Sequence, residues 1–298
     1  MRALITGIGG FVGTRLARHL LDCGDQVSGT YLDAVPDLPG ADLFEADLTD
    51  RAALERVVRE TDPEAVFNMA GLSHVGESWS WELLPAYYWV NVVGTENAVA
   101  AAAGRKVIVV SSADVYGVVP VEEQPIPEKR RIAPQTPYAL TKAASERIAL
   151  AGGAVVVRSF NLIGPGQAPK FALAAWAAQL AAIRRGEEKP ELKVGNLDTR
   201  RDFVHVDDGA AAYRLLAEEG EPGTVYNLAN GRAVPMREAL ERLLRISGVE
   251  VTVQEGAFPS RPHDIPVLSG DASLLRGLGW KPERTLDDAL SDLWRSVS

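Results

Sequence analysis

Arg2-Ala3-Leu4-Ile5-Thr6-Gly7-Ile8-Gly9-Gly10-Phe11-Val12-Gly13-Thr14-Arg15-Leu16-Ala17-Arg18-His19-Leu20-Leu21 sets a short apolar run, a glycine turn and a helical stretch in immediate succession. Gly7, Gly10 and Gly13 are spaced by three. Glycines at such a turn let the backbone bend tightly and approach a pyrophosphate, while the free amides and dipole of the helix start favour negative charge. Phe11 and Val12 open that helix. Glycine spacing alone is a weak signal, and the strand before it and the helix after it are the context that turns it into a dinucleotide site.

Outward from this turn, short β-branched runs alternate with stretches of helical period. That alternation predicts a Rossmann-like α/β fold, a doubly wound parallel sheet with crossover helices. Strands are expected at roughly 2–6, 26–31, 42–46, 64–68, 106–110, 154–159 and 224–228, and helices near 11–23, 50–60, 90–103, 137–150 and 207–219. Asp207 or Asp208 is expected to cap the last of these, and Gly220 to stop it. From about Gly164 the pattern changes to Pro and Gly clusters, an Ala-rich helix near roughly 170–185 and short strands around 192–194 and 250–254. We read a smaller mixed α/β substrate lobe there. The expected division is 1–163 with 202–229 as the dinucleotide domain and 164–201 with 230–298 as the substrate lobe.

Composition narrows the function. The 298 residues carry 31 Lys and Arg against 40 Asp and Glu, a net charge of −9 that is the wrong sign for a phosphate-backbone binder. No nucleic-acid partner is expected. No apolar run approaches a membrane span, and the single Cys23 excludes a disulfide framework and a Cys-rich zinc site. The four histidines, His19, His74, His205 and His263, form no close metal-ligand pair, so no metal is expected. A soluble, cytoplasmic protein is anticipated.

The second strand ends in Gly29-Thr30-Tyr31-Leu32-Asp33. Asp33 is the available carboxylate for ribose hydroxyls, and no Arg or Lys lies between Arg18 and Arg51 to meet a 2′-phosphate. NAD(H) is therefore favoured and NADP(H) is the alternative. Asp47-Leu48 follows the third strand and either sits near adenine or supplies, through Asp47, a helix cap.

The fifth strand delivers Ser111-Ser112-Ala113-Asp114 at its carboxyl end, the edge where open α/β sheets bind ligands. Thr136-Pro137-Tyr138-Ala139-Leu140-Thr141-Lys142 reads as an N-cap, a first-turn Pro, then Tyr and Lys on one helix face. Acid or base work by a tyrosine near neutrality calls for a cation beside it, which Lys142 supplies. The reading is Ser112 on a substrate oxygen, Tyr138 exchanging its proton, and Lys142 lowering the Tyr138 pKa while touching the nicotinamide ribose.

With these residues the chain resembles the extended short-chain dehydrogenase/reductases that act on nucleotide sugars. The likeness implies the Ser, Tyr and Lys roles just given. It also implies a cofactor-side segment Asn68-Met69-Ala70-Gly71 and Asn91, and a substrate-side segment ending in Asn161. Two further stretches, Lys193 to Phe203 and Arg261 to Pro266, resemble the branch that handles GDP-mannose derivatives. Their cations Lys193, Arg200, Arg201 and Arg261 suit a nucleotide diphosphate, with pairing to Asp198, Asp202 or Asp264 as the alternative reading. A GDP-hexose substrate is thus favoured. His74 is read either as reaching the sugar or nicotinamide or as a loop histidine. Reduction of a 4-keto sugar is the favoured reaction. A 4,6-dehydratase using Asp114 as base, a 4-epimerase, and a turnover-free nucleotide sensor remain open. The likeness further implies a homodimer pairing the helices near 90–103 and 137–150.

Overall fold

The computed structural model describes residues 1–258 and 264–298. The large layer begins with β1 (Arg2–Thr6), α1 (Phe11–Asp22), β2 (Gln26–Tyr31), β3 (Ala41–Glu45), α2 (Arg51–Thr61) and β4 (Ala65–Asn68). It continues with α3 (Leu84–Tyr88), α4 (Gly94–Ala101), β5 (Lys106–Ser112), α5 (Pro137–Ala151) and β6 (Val155–Ser159). The smaller lobe opens with β7 (Asn161–Ile163), α6 (Ala172–Arg184), β8 (Glu191–Lys193) and β9 (Arg200–His205), after which α7 (Val206–Glu219) and β10 (Val225–Leu228) return to the large layer. The chain then adds β11 (Ala233–Pro235), α8 (Met236–Ser247), β12 (Thr252–Gln254), β13 (Val267–Leu268), α9 (Ser273–Gly277) and α10 (Leu286–Arg295).

Seven strands form one sheet in the order β10-β6-β5-β4-β1-β2-β3, with every pairing parallel. A parallel sheet needs cover on both faces, and the alternation along each strand provides it. Ala3, Ile5, Phe67, Ile108, Val155 and Val157 pack with Leu16 and Leu20 of α1 and Tyr213 and Leu216 of α7. Leu4, Val66, Val107, Val109 and Val156 point the other way, against Leu54 and Val57 of α2, Ala98 of α4 and Ala149 of α5. A third core joins Leu173, Trp176 and Leu180 of α6 to Leu240 and Leu243 of α8 and to Leu290, Leu293 and Trp294 of α10.

Several expectations are corrected. The helix near 90–103 is built from α3, a π-helical turn over Trp89–Val93 and α4; periodicity averaged across the wide turn conceals it. Neither Asp207 nor Asp208 caps α7. The His205 ring accepts from the Asp207 amide at 3.0 Å, while Asp207 is held by Arg15 and Asp208 by Arg284. Asp50, not Asp47, caps α2 by accepting from the Ala53 amide, and Asp47 instead takes the amide and hydroxyl of Thr49 in a local turn. Residues 202–205, expected with the large sheet, sit in β9, which pairs with β7, β11 and β13 in the smaller one.

Candidate active site

Chemistry-bearing residues gather along the carboxyl edge of the large sheet. At β1 the turn closes through the Gly10 amide to the Gly7 carbonyl (3.0 Å) and the Ile8 amide to the Thr30 carbonyl (3.0 Å). Gly7 has φ +65°, and a side chain there would press on the Ala70 backbone at 2.8 Å. A Cβ on Gly13 would collide with the Gly7 carbonyl oxygen. Gly10 precedes α1 without a side-chain cap, so the amides of Phe11, Val12 and Gly13 are the helix's orphan first-turn donors. A tight turn with no room for a Cβ at Gly7 or Gly13, followed by the open first-turn amides of a helix, fits a dinucleotide pyrophosphate. Tyr31 ends β2 half-buried and Asp33 lies two residues beyond, exposed, with Asp47 exposed and Leu48 buried after β3.

A buried polar chain sets the neighbouring strand ends. Thr6 Oγ1 donates to Asn68 Oδ1 (2.7 Å), Asn68 Nδ2 to Thr95 Oγ1 (3.1 Å), and Thr95 Oγ1 to the Asn91 carbonyl (2.7 Å). These bonds fix the turn that carries Met69, Ala70 and Gly71. The Asn91 side chain accepts from the Leu72 amide (2.9 Å) and donates to the Leu72 carbonyl (3.0 Å) and Thr141 Oγ1 (3.0 Å). Expected beside the cofactor, Asn91 thus works as a bracket between that turn and α5. A Cβ on Gly71 would come within 3.9 Å of Lys142 Nζ, which places the glycine segment next to the Tyr-Lys pair.

Ser112 closes β5 and its hydroxyl accepts from the Asp114 amide at 3.2 Å. Thr136 caps α5 through the Ala139 amide at 3.1 Å, and Ser78 accepts the Tyr138 amide at 3.2 Å. The Tyr138 hydroxyl lies beside the Ser112 side chain, which favours its charged form. Tyr138 and Lys142 are 7% and 8% exposed. Burial, with the Asp114 carboxylate beside it, pushes the Tyr138 hydroxyl well above its ordinary value. This reverses the expected direction. The lysine is itself desolvated, down to about 8, and the loss of water around the phenolate is the largest influence on Tyr138.

His74 is half-buried. Its Nδ1 accepts the Glu77 amide at 3.1 Å, its carbonyl takes the Tyr87 hydroxyl at 2.6 Å, and its ring meets Phe171 edge-on at 5.8 Å. It stands where the two lobes face each other, beside the Lys170–Glu77 ion pair. On the smaller lobe, Asn161, Lys193 and Arg200 are exposed. Arg201 follows the alternative reading instead: it donates to Asp264 Oδ1 (3.0 Å) and the Ile265 carbonyl (2.7 Å). Asp202 is buried, not an ion-pair partner on a wet face. It accepts from the amides of Asn230, Gly231 and Gly270, and burial raises it to about 6. Arg261 and His263 lie outside the described residues.

Sequence reasoning passed over Ser78, which braces the Tyr138 amide, and Glu146, one turn beyond Lys142 on the same helix. The four-residue step from Lys142 was the available signal for Glu146. Among the described residues no group of His, Cys, Asp or Glu side chains is arranged to hold a metal, and no helix is long and apolar enough to cross a membrane.

Known proteins resemble this chain over nearly its whole length. Residues 4–293 match the family model of GDP-mannose 4,6 dehydratase. GDP-6-deoxy-D-mannose reductase of Pseudomonas aeruginosa is 35% identical over 97% of this chain and 94% of its own. UDP-glucose 4-epimerase of Bacillus subtilis is 31% identical over 99% and 96%. The structure of RMD from Pseudomonas aeruginosa complexed with NADPH superposes with a TM-score of 0.85 at 31% identity, covering 99% of this chain and 98% of that one. Thermus thermophilus UDP-glucose 4-epimerase in complex with NAD superposes at 0.89 and 27% identity, covering 100% and 99%. A match over nearly the whole length, on a sheet edge that assembles a glycine cradle, Ser112, Tyr138 and Lys142, shows that the chain belongs to the GDP-mannose 4,6-dehydratase family, among the extended short-chain dehydrogenase/reductases.

Proposed function

We propose that the protein reduces the 4-keto group of a GDP-4-keto-6-deoxy-hexose with NAD(P)H. The reduced nicotinamide would supply the hydride. Gly7, Gly10 and Gly13 with the α1 amides would hold its pyrophosphate, and Tyr31, Asp33, Asp47 and Leu48 would face its adenosine half. Met69, Ala70, Gly71 and Lys142 would lie along the nicotinamide half, with Asn91 fixing that segment. The observation that carries a reduction is the Tyr138 hydroxyl, buried beside Ser112, where the loss of water pushes it well above its ordinary value. A keto oxygen that receives hydride at its carbon must gain a proton, and a tyrosine that keeps its proton at neutral pH is a donor ready for it. Ser112 would orient the oxygen and Lys142 would offset the charge left on Tyr138.

The 35% identity to a GDP-6-deoxy-D-mannose reductase supports the GDP-sugar class. Asn161, Lys193, Arg200 and Arg261 are assigned to the sugar nucleotide, with His74 at the lobe interface. Dehydration is the second reading, favoured by the Asp114 carboxylate whose charge reaches Tyr138. NAD(H) is preferred over NADP(H) because no cation follows β2 in the sequence before Arg51. A homodimer through α4, α5 and the π turn is in keeping with Trp89 and Leu140, which are 57% and 56% exposed on that side. The single cysteine suits a reducing, cytoplasmic setting.

The deciding experiment incubates the enzyme with GDP-mannose and with GDP-4-keto-6-deoxymannose, with and without NADH or NADPH. Keto-sugar conversion in proportion to reduced cofactor consumed is expected. Conversion of GDP-mannose without net cofactor use would overturn the reductase reading in favour of dehydration at Asp114 or of epimerisation.

A further inference from the structure

Glu146 lies one helical turn beyond Lys142 and two beyond Tyr138 on α5, and it is 1% exposed. Its Oε1 accepts the Ser111 hydroxyl (2.5 Å) and Arg158 Nε (2.9 Å), and its Oε2 accepts Arg158 Nη2 (2.8 Å). Arg158 is locked in turn. Nη1 donates to the Tyr116 hydroxyl (3.0 Å) and the Glu128 carbonyl (3.0 Å), and the guanidinium stacks 4.8 Å from the Tyr116 ring centre. Tyr116 then donates to Asn227 Oδ1 at 2.8 Å.

A buried ion pair of this kind is poor value as a stabiliser, because desolvating both charges offsets most of their attraction and apolar residues would serve as well. Its location offers a better reason. Ser111 precedes Ser112 and faces Arg158 across the β5–β6 register, and Glu146 shares a helix face with Lys142. The cluster therefore grips both the strand end and the helix that carry the reacting side chains, while touching none of the reacting atoms.

We propose that Glu146, clamped by Arg158 and Ser111, is a positioning residue that keeps the buried Lys142 in its ammonium form. The inference rests on Lys142 acting in turnover as assigned above. Burial draws the Lys142 ammonium down to about 8, and the charge that opposes this is that of Glu146. The other titratable or charged groups on the elements packed against α5 are Asp114 and Tyr116 after β5, Lys106 at the far end of β5 and Arg158 on β6. Glu96 of α4, Tyr87 and Tyr88 of α3, and Glu77 of the turn before it complete that set, with Tyr138 and Arg147 on α5 itself. The sign follows. Removing the carboxylate charge lowers the Lys142 value further, so the ammonium is lost at a lower pH and any limb of the rate profile that depends on it moves acidward.

The test is a 13C NMR titration of the lysine Cε resonances of the whole protein, with Lys142 assigned by its absence in Lys142→Met. Glu146→Gln is expected to move the Lys142 midpoint down by about 1 unit or more, and Glu146→Asp to restore most of it. Should Glu146→Gln alone not fold, the double change Glu146→Gln with Arg158→Met is compared with Arg158→Met alone, so that the guanidinium is absent from both, and the Lys142 midpoint is expected to be lower in the double change. A Lys142 midpoint unmoved by loss of the carboxylate in either comparison overturns the proposal, since a merely structural role predicts that result. The pH profile of kcat separates the two layers. A midpoint that moves while the rate limb stays supports the coupling and removes Lys142 from turnover.

Discussion

Tyr138 owes its chemistry to where it is buried. On an exposed helix the same side chain four residues before a lysine would be an ordinary surface pair; here the loss of water and the Asp114 charge hold its proton in place against the pull of the Ser112 side chain. Tyr138→Phe keeps the packing and removes the donor. Turnover should fall by about 10²–10⁴, while NADH affinity measured by fluorescence stays within about threefold; a substantial residual rate would falsify the role. Arg200 and Arg201 make a second test at this scale. Arg200 is exposed beside the smaller lobe, whereas Arg201 is tied to Asp264 and Ile265. Arg200→Ala should raise KM for the sugar nucleotide about tenfold or more with kcat little changed, the pattern of a lost phosphate contact. Arg201→Ala should instead lower the thermal midpoint, as seen by circular dichroism.

At the scale of elements, α1 joins the glycine cradle to α7. Gly13 has no room for a side chain against the Gly7 carbonyl, so Gly13→Ala must push the helix start away from the turn. Dinucleotide affinity should drop at least about tenfold by calorimetry, with a stability loss of about 1–3 kcal/mol. Further along α1, Arg15 forks onto Asp207 at 2.6 and 2.7 Å. The His205 ring beside it caps α7 and reaches Asp292 of α10 at 3.2 Å. Both members of the Arg15–Asp207 pair keep some solvent contact, so Arg15→Ala should cost about 1–2 kcal/mol after screening. The thermal midpoint is then expected to fall by a few degrees.

At the scale of the whole molecule, the proposed dimer is the open assembly. Trp89 and Leu140 present large apolar side chains from the π turn and from α5, which a partner copy on that side would cover. Sedimentation at micromolar concentration should give about twice the 32.0 kDa chain mass, and Leu140→Glu should return it toward the monomer. A wild-type mass near that of one chain would remove the dimer.

The large sheet was legible because its inner strands β1, β4, β5 and β6 are short apolar runs whose odd and even residues are buried on opposite faces, and the turns after β1 and β5 carry their own chemistry. Ser112, Tyr138 and Lys142 could be singled out for the same reason: a strand end, an N-cap and a helical period are local features of the chain. The smaller lobe was read only in part. Its strands are two to six residues long and draw partners from far along the chain, so β9 reads like one more strand of the large sheet until β7, β11 and β13 are seen beside it. Long-range polar pairing was equally hidden. Nothing local says that Arg201 turns to Asp264, that Asp207 is drawn to Arg15, or that Glu146 meets Arg158 and Ser111 under the site. The sequence by itself determined the glycine turn, the strand edge and the placing of Ser112, Tyr138 and Lys142 at it, because each depends on neighbours a few residues away. Only the tertiary structure decided which charges are buried and paired, because desolvation belongs to a place in the fold and not to a position in the chain.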